Sequence, residues 1–317
     1  MYRDNTVAVV VPAYNEQKLI RRVIETMPDY VDYIVVVDDC SQDATADVVR
    51  SYKAQLGERL VLLEHETNQG VGGAIATGYK WCRDHEIDAV AVMAGDAQMD
   101  PADLPALLDP VVRGEVDYAK GNRLFTGDAW RQIPRVRYLG NSAMSLLTKI
   151  ASGYWHVADS QSGYTVINLK ALKTIDWDKM YKRYGQPNDL LVRLNIHSFR
   201  VRDVPVTPVY DIGEDSGVRP IQMIPRLSWL LLKLFVYRMW QKYVIRDFHP
   251  LLFFYALAFF LLAASVPLGL RVFYKWLILG QNIPSINALA WMSGTIAGLQ
   301  SLFFAMWFDM EYNRELR

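Results

Sequence analysis

The run VAVVVPAYNEQ, residues 7 to 17, passes without a break from apolar, mostly β-branched positions into a polar turn. A strand that is apolar at consecutive rather than alternate positions has both faces covered, as in a parallel sheet held between helices. The same arrangement returns as YIVVVDDCSQDAT at 33 to 45, LVLLEHETNQGVGG at 60 to 73 and AVAVMAGDAQMDP at 89 to 101. The spacing predicts strands at 7–11, 33–37, 60–63 and 89–93, with amphipathic helices between them, and therefore an α/β sheet. Ligands bind beyond the carboxyl ends of such strands. Each predicted end is polar or glycine-rich here, at 12–16, 38–43, 66–73 and 95–100, so four loops are placed to form one crevice. Farther along, helices are expected at 136–150 and 189–196, and strands at 164–168 and 199–204.

The 317 residues exceed one ordinary α/β domain. The 34 basic residues balance 34 acidic ones and 51% of positions are hydrophobic, which argues against a nucleic-acid partner and against disorder. Those averages conceal a split. Residues 248–270 and 286–308 are almost uncharged, and about 23 helical residues reach roughly 34 Å, enough for a bilayer core. Two transmembrane helices are expected. The division that follows is an α/β domain at 1–220, an amphipathic interfacial segment at 221–247, the two spans, and a tail at 309–317. Prolines 220 and 225 mark the boundary after the first domain.

The apolar stretch at 7–12 is too short for a signal-peptide core and runs into a polar motif, so the first domain is expected to remain cytoplasmic. Lys233, Arg238, Lys242 and Arg246 precede the first span and Arg314 and Arg317 follow the second, while the connecting loop has only Arg271 and Lys275. That bias predicts an integral membrane protein with both termini cytoplasmic. Residues 216–246 carry six basic side chains and no acid, interleaved with aromatic and aliphatic ones, a composition suited to an anionic membrane interface. Cys40 and Cys82 lack metal-site spacing and read as ordinary thiols, and none of the five histidines is assigned chemistry.

Tyr14 and Glu16 stand where a base or ribose can be gripped, and Asp38 and Asp39 leave the second strand together as hydrogen-bond acceptors. Taken locally, Asp38 or Asp39 reads equally as a turn residue and Asp43 as a helix cap. The glycines after the third strand do not have the dinucleotide spacing, and no acid closes a following strand, so a dehydrogenase is set aside. Asp96 and Gln98 offer oxygen ligands for a divalent cation held partly by a diphosphate. Between 120 and 149, Lys120, Arg123, Arg131, Arg135, Arg137 and Lys149 face only Asp128, and Arg123 and Arg137 are candidate phosphate clamps. A solvated basic face is the alternative.

The pieces VVPAYNE, VVDDCSQDAT, NQGVGGA and GDAQMDP, in that order and spacing, closely resemble the inverting nucleotide-sugar glycosyltransferases of the GT-A fold, over roughly the first 220 residues. With two spans appended, the subgroup most similar is the polyprenyl-phosphate glycosyltransferases, relatives of the dolichol-phosphate mannose synthases. The resemblance implies a nucleotide-sugar donor, uridine favoured over guanosine, a polyprenyl phosphate acceptor at the bilayer, Mg²⁺ or Mn²⁺, and a homo-oligomer such as a tetramer. It places Pro12, Ala13, Tyr14, Glu16, Asp38, Asp39, Asn68, Gly70, Asp96 and Gln98 around the donor, with Asp96 and Gln98 on the metal. Arg123, Arg137, Asn141, Ser142 and Arg219 fall around the acceptor phosphate, and Asp96, Asp159 and Asp189 at the reaction centre. One position departs from the family: Ala94 stands where the first Asp of a DxDxQ motif is usual. A phosphate acceptor is largely dianionic at neutral pH, so Asp159 and Asp189 are expected to orient more than to deprotonate. The alternatives are transfer to another lipid or to a polysaccharide, for which no QxxRW element is present, and a noncatalytic membrane scaffold.

Overall fold

The computed structural model describes residues 1–124, 135–207, 209, 220–282 and 284–317, with backbone alone for 135–142 and 220–223. Two compact units are present, Met1–Phe235 with Glu315–Arg317, and Val236–Arg314.

The first unit is built on a seven-stranded sheet of order β3-β2-β1-β4-β6-β5-β7. Its strands are β1 Val7–Ala13, β2 Tyr33–Asp38, β3 Leu60–Glu64, β4 Ala89–Val92, β5 Tyr118–Asn122, β6 Thr165–Asn168 and β7 Val201–Pro205. Strands β1 to β4 are mutually parallel, with Val10 opposite Val35 on one side and Val92 on the other. Strand β6 is antiparallel to both β4 and β5, and β7 runs parallel to β5. Hence the ends of β1, β4 and β5 and the start of β6 lie on one edge of the sheet. Every residue of β1 is buried because the pleat sends Val7, Val9 and Val11 into one core and Ala8 and Val10 into another. The first core also holds Ile20, Val23, Leu104 and Leu107, and the second Ala74, Tyr79, Leu190 and Leu194.

The consecutive apolar runs thus form strands for the expected reason. Strand β1 extends past 11 because Pro12 and Ala13 still pair with Val37 and Asp38. The expected helix at 136–150 spans Arg135–Ser152, and that at 189–196 begins earlier, at Gln186. Strand β5 is the addition. Its sequence, YAKGN, breaks the apolar pattern with Lys, Gly and Asn, all of them buried. Lys120 is therefore not part of a basic surface: it is wholly buried and its Nζ donates to the Ser162 carbonyl.

In the second unit, a helix at Leu251–Phe273 continues through a π-helical turn to Ile278, and another covers Ser285–Tyr312. Each apolar helical segment is 28 residues long, enough to cross a bilayer with some tilt. Small residues let the pair approach. A Cβ added at Gly294 would fall 2.6 Å from Ser265 Oγ, and one at Gly298 would fall 2.9 Å from Leu262 Cγ.

Near one end of the pair lies a buried polar knot. Arg238 bonds both oxygens of Asp309, Nη1 to Oδ1 at 2.8 Å and Nη2 to Oδ2 at 2.9 Å. Tyr243 Oη donates to Asp309 Oδ1 at 2.6 Å, and Lys242 Nζ donates to Asn313 Oδ1 at 2.7 Å. This corrects the reading of the basic segment: Arg238 and Lys242 are buried and paired, so neither faces lipid headgroups. Lys233 instead lies over the exposed Trp229 ring, 5.3 Å from its centroid.

Candidate active site

A cleft of about 590 Å³ opens at the carboxyl ends of β1, β2 and β4. The strand order reverses between β1 and β4, where the loops leaving neighbouring strands diverge and a ligand can enter. Pro12, Ala13, Tyr14 and Glu16 line it from β1, Asp39 and Asp43 from β2, Asn68 and Gly70 from β3, and Ala94, Gly95 and Asp96 from β4. Of the residues expected around the donor, only Asp38 and Gln98 do not line it. Three of these loops each hold one non-glycine residue in the left-handed region, Asn15 at φ 57°, Cys40 at 62° and Ala97 at 57°. Such conformations cost energy and persist where surrounding bonds over-determine them. Here Asn15 N–H donates to Ser41 Oγ at 2.9 Å, Gln42 N–H to Asn15 Oδ1 at 2.8 Å, and Glu16 N–H to Thr45 Oγ1 at 2.8 Å. The first two loops are stitched into one wall.

Asp39 is the anchor of the cleft floor. Its carboxylate accepts from Gln69 N–H at 2.8 Å and Gly70 N–H at 2.7 Å, and His65 Nδ1 lies 2.7 Å from its Oδ1. The other ring nitrogen of His65 bonds Thr77 Oγ1 at 2.9 Å. A carboxylate offers about four acceptor sites, so these bonds use most of it and make Asp39 first of all the clasp of the glycine loop. His65, given no chemistry from sequence, belongs to that clasp; no local signal marked it, since its partner lies 26 residues earlier. Asp38 turns elsewhere, accepting from Ser41 N–H at 3.1 Å, with Oδ1 buried and unpartnered among the described residues. Asp43 accepts from Thr45 N–H at 3.0 Å and Gln17 N–H at 3.2 Å. Burial raises its pKa, but these bonds together with the Thr45 hydroxyl outweigh that and hold the carboxyl below its ordinary value.

The glycines of NQGVGG act by close approach. A Cβ at Gly70 would fall 2.6 Å from the Lys182 carbonyl oxygen and one at Gly72 would fall 2.3 Å from that of Tyr181. Gly73 N–H donates to the Lys182 oxygen at 3.1 Å. Residues 181–184 are thereby laid against the glycine loop, and Arg183 and Tyr184 become part of the cleft wall. Sequence reasoning missed both, because no motif surrounds them. Asp189, expected at the reaction centre, pins this segment instead: Oδ2 accepts from Tyr181 N–H at 2.7 Å and Oδ1 from Arg193 Nε at 2.9 Å. It does not line the cleft, and burial, only partly offset by Arg193, raises its pKa. Neither Asn188 nor Asp189 caps a helix, since the helix starts at Gln186 after Gly185.

Arg123 and Asp159, read separately as phosphate clamp and orienting carboxylate at the reaction centre, form one ion pair. Arg123 Nε donates to Oδ2 at 2.8 Å and Nη2 to Oδ1 at 3.1 Å, and the Arg123 backbone N–H reaches Oδ2 at 3.2 Å. Asp159 is 1% exposed. Burial pushes its pKa up, but the guanidinium prevails and keeps the carboxylate below its ordinary range. Behind it, burial lowers Lys120 to about 8 despite the pull of Asp159 and Asp203. Burial also raises Asp203 to about 6, although Ala158 N–H donates to it at 2.6 Å. The side chains of Arg137, Asn141 and Ser142, and all of Arg219, lie outside the described residues.

Residues 8–176 match the family described as Glycosyl transferase family 2. The chain belongs to this family. It is 30% identical to the undecaprenyl-phosphate mannosyltransferase of Micrococcus luteus, over 66% of this chain and 86% of that one. It is 27% identical to the UDP-N-acetylglucosamine–dolichyl-phosphate N-acetylglucosaminyltransferase of Methanococcus voltae, over 65% of this chain and 87% of that one. Among solved structures, glucosyl-3-phosphoglycerate synthase from Mycobacterium tuberculosis, crystallised with Mn²⁺, UDP-glucose and phosphoglyceric acid, has a TM-score of 0.54 at 21% identity. The match covers 74% of this chain and 80% of that one and shows a shared fold.

For a family 2 enzyme the metal position is sparse. Asp96 Oδ1 accepts from Gln98 N–H at 3.1 Å across the turn made by Ala97, and Ala94 lines the cleft where a second carboxylate is usual. Among the described residues no three His, Cys, Asp or Glu side chains gather into a metal-binding group. Glu16 is the nearby acid, its Cγ lying 3.4 Å from where a Gly95 Cβ would sit. One carboxylate with water and a diphosphate is a donor set that Mg²⁺ accepts, so the residues present fit a cation brought in with the donor.

Proposed function

We propose that the chain transfers a hexose or N-acetylhexosamine, with inversion, from a nucleotide sugar, UDP-linked in preference to GDP-linked, to the phosphate of a polyprenyl lipid. The observation that carries this reading is the position of the Arg123–Asp159 pair. Strand β5 ends and β6 begins on the sheet edge where β1 and β4 open the donor cleft, so a buried carboxylate aims a guanidinium on the acceptor side of the same edge. An arginine so presented, with its side chain still 28% exposed, suits a phosphate acceptor better than an uncharged alcohol.

An acceptor phosphate oxygen attacks the anomeric carbon as the bond to the nucleoside diphosphate breaks, and the electron pair leaves with the diphosphate. The acceptor is already largely dianionic, so no strong base is needed. That agrees with Asp159 and Asp189 both being engaged by arginines. Asp96 would hold Mg²⁺ or Mn²⁺, which supplies charge stabilisation for the departing diphosphate. Pro12, Tyr14 and Glu16 grip the nucleoside. A polyprenyl tail stays in the bilayer, which gives the two 28-residue apolar helices a purpose, and the basic residues that flank them support a topology with both termini on the cytoplasmic side.

The test is transfer by the purified full-length protein from labelled UDP- and GDP-sugars to polyprenyl phosphate, polyprenol and diacylglycerol. Product on polyprenyl phosphate alone is expected. Equal product on an uncharged lipid sinks the acceptor assignment, and full activity in excess chelator, or in Asp96→Asn, sinks the metal.

A further inference from the structure

We propose that Arg183 is a diphosphate-binding residue of the donor site, held over the cleft by a segment whose backbone is fixed on both sides of it. The proposal rests on the nucleotide-sugar reading above and names a contact which that reading lacks. The cleft is lined by the carboxylates Glu16, Asp39, Asp43 and Asp96 and by only two cations among the described residues, Lys18 and Arg183. An anionic diphosphate entering such a site needs cationic donors beyond a single metal position.

The segment around Arg183 is anchored on both sides of it. Tyr181 N–H is held by Asp189 at 2.7 Å, the Lys182 carbonyl by Gly73 N–H at 3.1 Å, and Lys182 Nζ by Gln69 Oε1 at 3.0 Å. The Arg183 carbonyl accepts from Gln186 N–H at 2.9 Å. Gly185 follows, where a Cβ would strike Leu230 at 2.3 Å. The stem of Arg183 runs over Gly70, with Cγ 3.1 Å from where a Cβ there would lie. Against all this fixation, the guanidinium itself has no hydrogen-bond or ion-pair partner among the described residues. Asp39, another acid lining the cleft, is already bonded to Gln69, Gly70 and His65. A fixed backbone and a guanidinium without a protein partner among the described residues together form a preorganised anion contact, and its planar fork matches phosphate oxygens.

The experiment is equilibrium binding of UDP, GDP, uridine and guanosine to the full-length protein, comparing wild type with Arg183→Ala, Arg183→Lys, Arg183→Gln and Lys18→Ala. Arg183→Ala and Arg183→Gln should weaken the preferred diphosphate by roughly tenfold to a hundredfold and change its nucleoside by no more than about twofold. Arg183→Lys should recover part of the loss. Unchanged diphosphate binding in Arg183→Ala, or a loss that appears only in Lys18→Ala, overturns the assignment. Equal losses for nucleoside and diphosphate would show a merely structural segment and overturn it as well. Failure of the wild type to bind any nucleoside diphosphate overturns the donor reading together with this one.

Discussion

The donor cleft and the polar knot at Arg238 and Asp309 both collect ionised side chains, and they do so to opposite ends. In the knot, charge answers charge: Arg238 and Asp309 are both wholly buried, joined by two bonds, and supported by Tyr243 and Asn313. In the cleft, backbone amides and a histidine occupy Asp39, while Arg183 has no hydrogen-bond or ion-pair partner among the described residues. A charge matched by the protein is committed to the fold, which suffers if its partner is removed, whereas one held in place but unmatched is available to a substrate.

Breaking the knot should give the largest effect. Asp309→Ala leaves the Arg238 guanidinium buried without its partner, at a cost of about 3 to 5 kcal/mol. Thermal unfolding in detergent checks this. The paired change Arg238→Met with Asp309→Leu should cost much less, since both charges leave together. If the single change costs no more than Arg50→Ala at an exposed pair, the contrast between the two regions fails.

The acceptor side comes next, because the Arg123–Asp159 pair lies between the two extremes: the acid is buried, but the arginine side chain is 28% exposed. Arg123→Ala should reduce use of polyprenyl phosphate roughly tenfold to more than a hundredfold, about 1.5 to 3 kcal/mol, and leave donor binding nearly intact. Asp159→Asn should show the same pattern, and the double variant should lose much less than the two losses combined, because the residues act as one unit. A fall in kcat alone for Asp159→Asn, with acceptor KM unchanged, would make Asp159 a catalytic acid or base rather than a support for Arg123.

The smallest effect concerns pH. The carboxyl of Asp203 is raised from 3.8 to about 6, chiefly by burial, so the folded state holds a proton that the unfolded chain has already lost. Its contribution to stability is present below about pH 4 and is lost as pH rises through 6. Asp203→Asn should flatten the stability profile in that window relative to wild type, as measured by denaturant unfolding at a series of pH values. An unchanged slope would place Asp203 in a more solvated setting than its burial implies.

Much of this could be read from consecutive residues. Unbroken Val and Ile runs ending in polar turns mark strands covered on both faces, and that pattern located β1 to β4, the cleft at their ends, and Tyr14, Glu16 and Asp96 within it. The two long apolar runs likewise announced helices of bilayer length, since length and hydropathy are properties of the chain itself. What each charge does was decided elsewhere. Lys120 looked like surface and is core, because a strand with a poor apolar pattern is carried inside by pairing with β6 and β7. Arg238 and Lys242 looked like membrane-facing charge and are buried, because Asp309 and Asn313, some 71 residues on, meet them. Asp189 and Asp159 looked catalytic and are bound to arginines, while Arg183, which nothing local distinguished, reaches the cleft through glycines more than 100 residues earlier. Periodicity is local and survives in the sequence. The partner of a charged group is fixed by strand order and by backbone close approach, which bring together segments that the sequence keeps far apart.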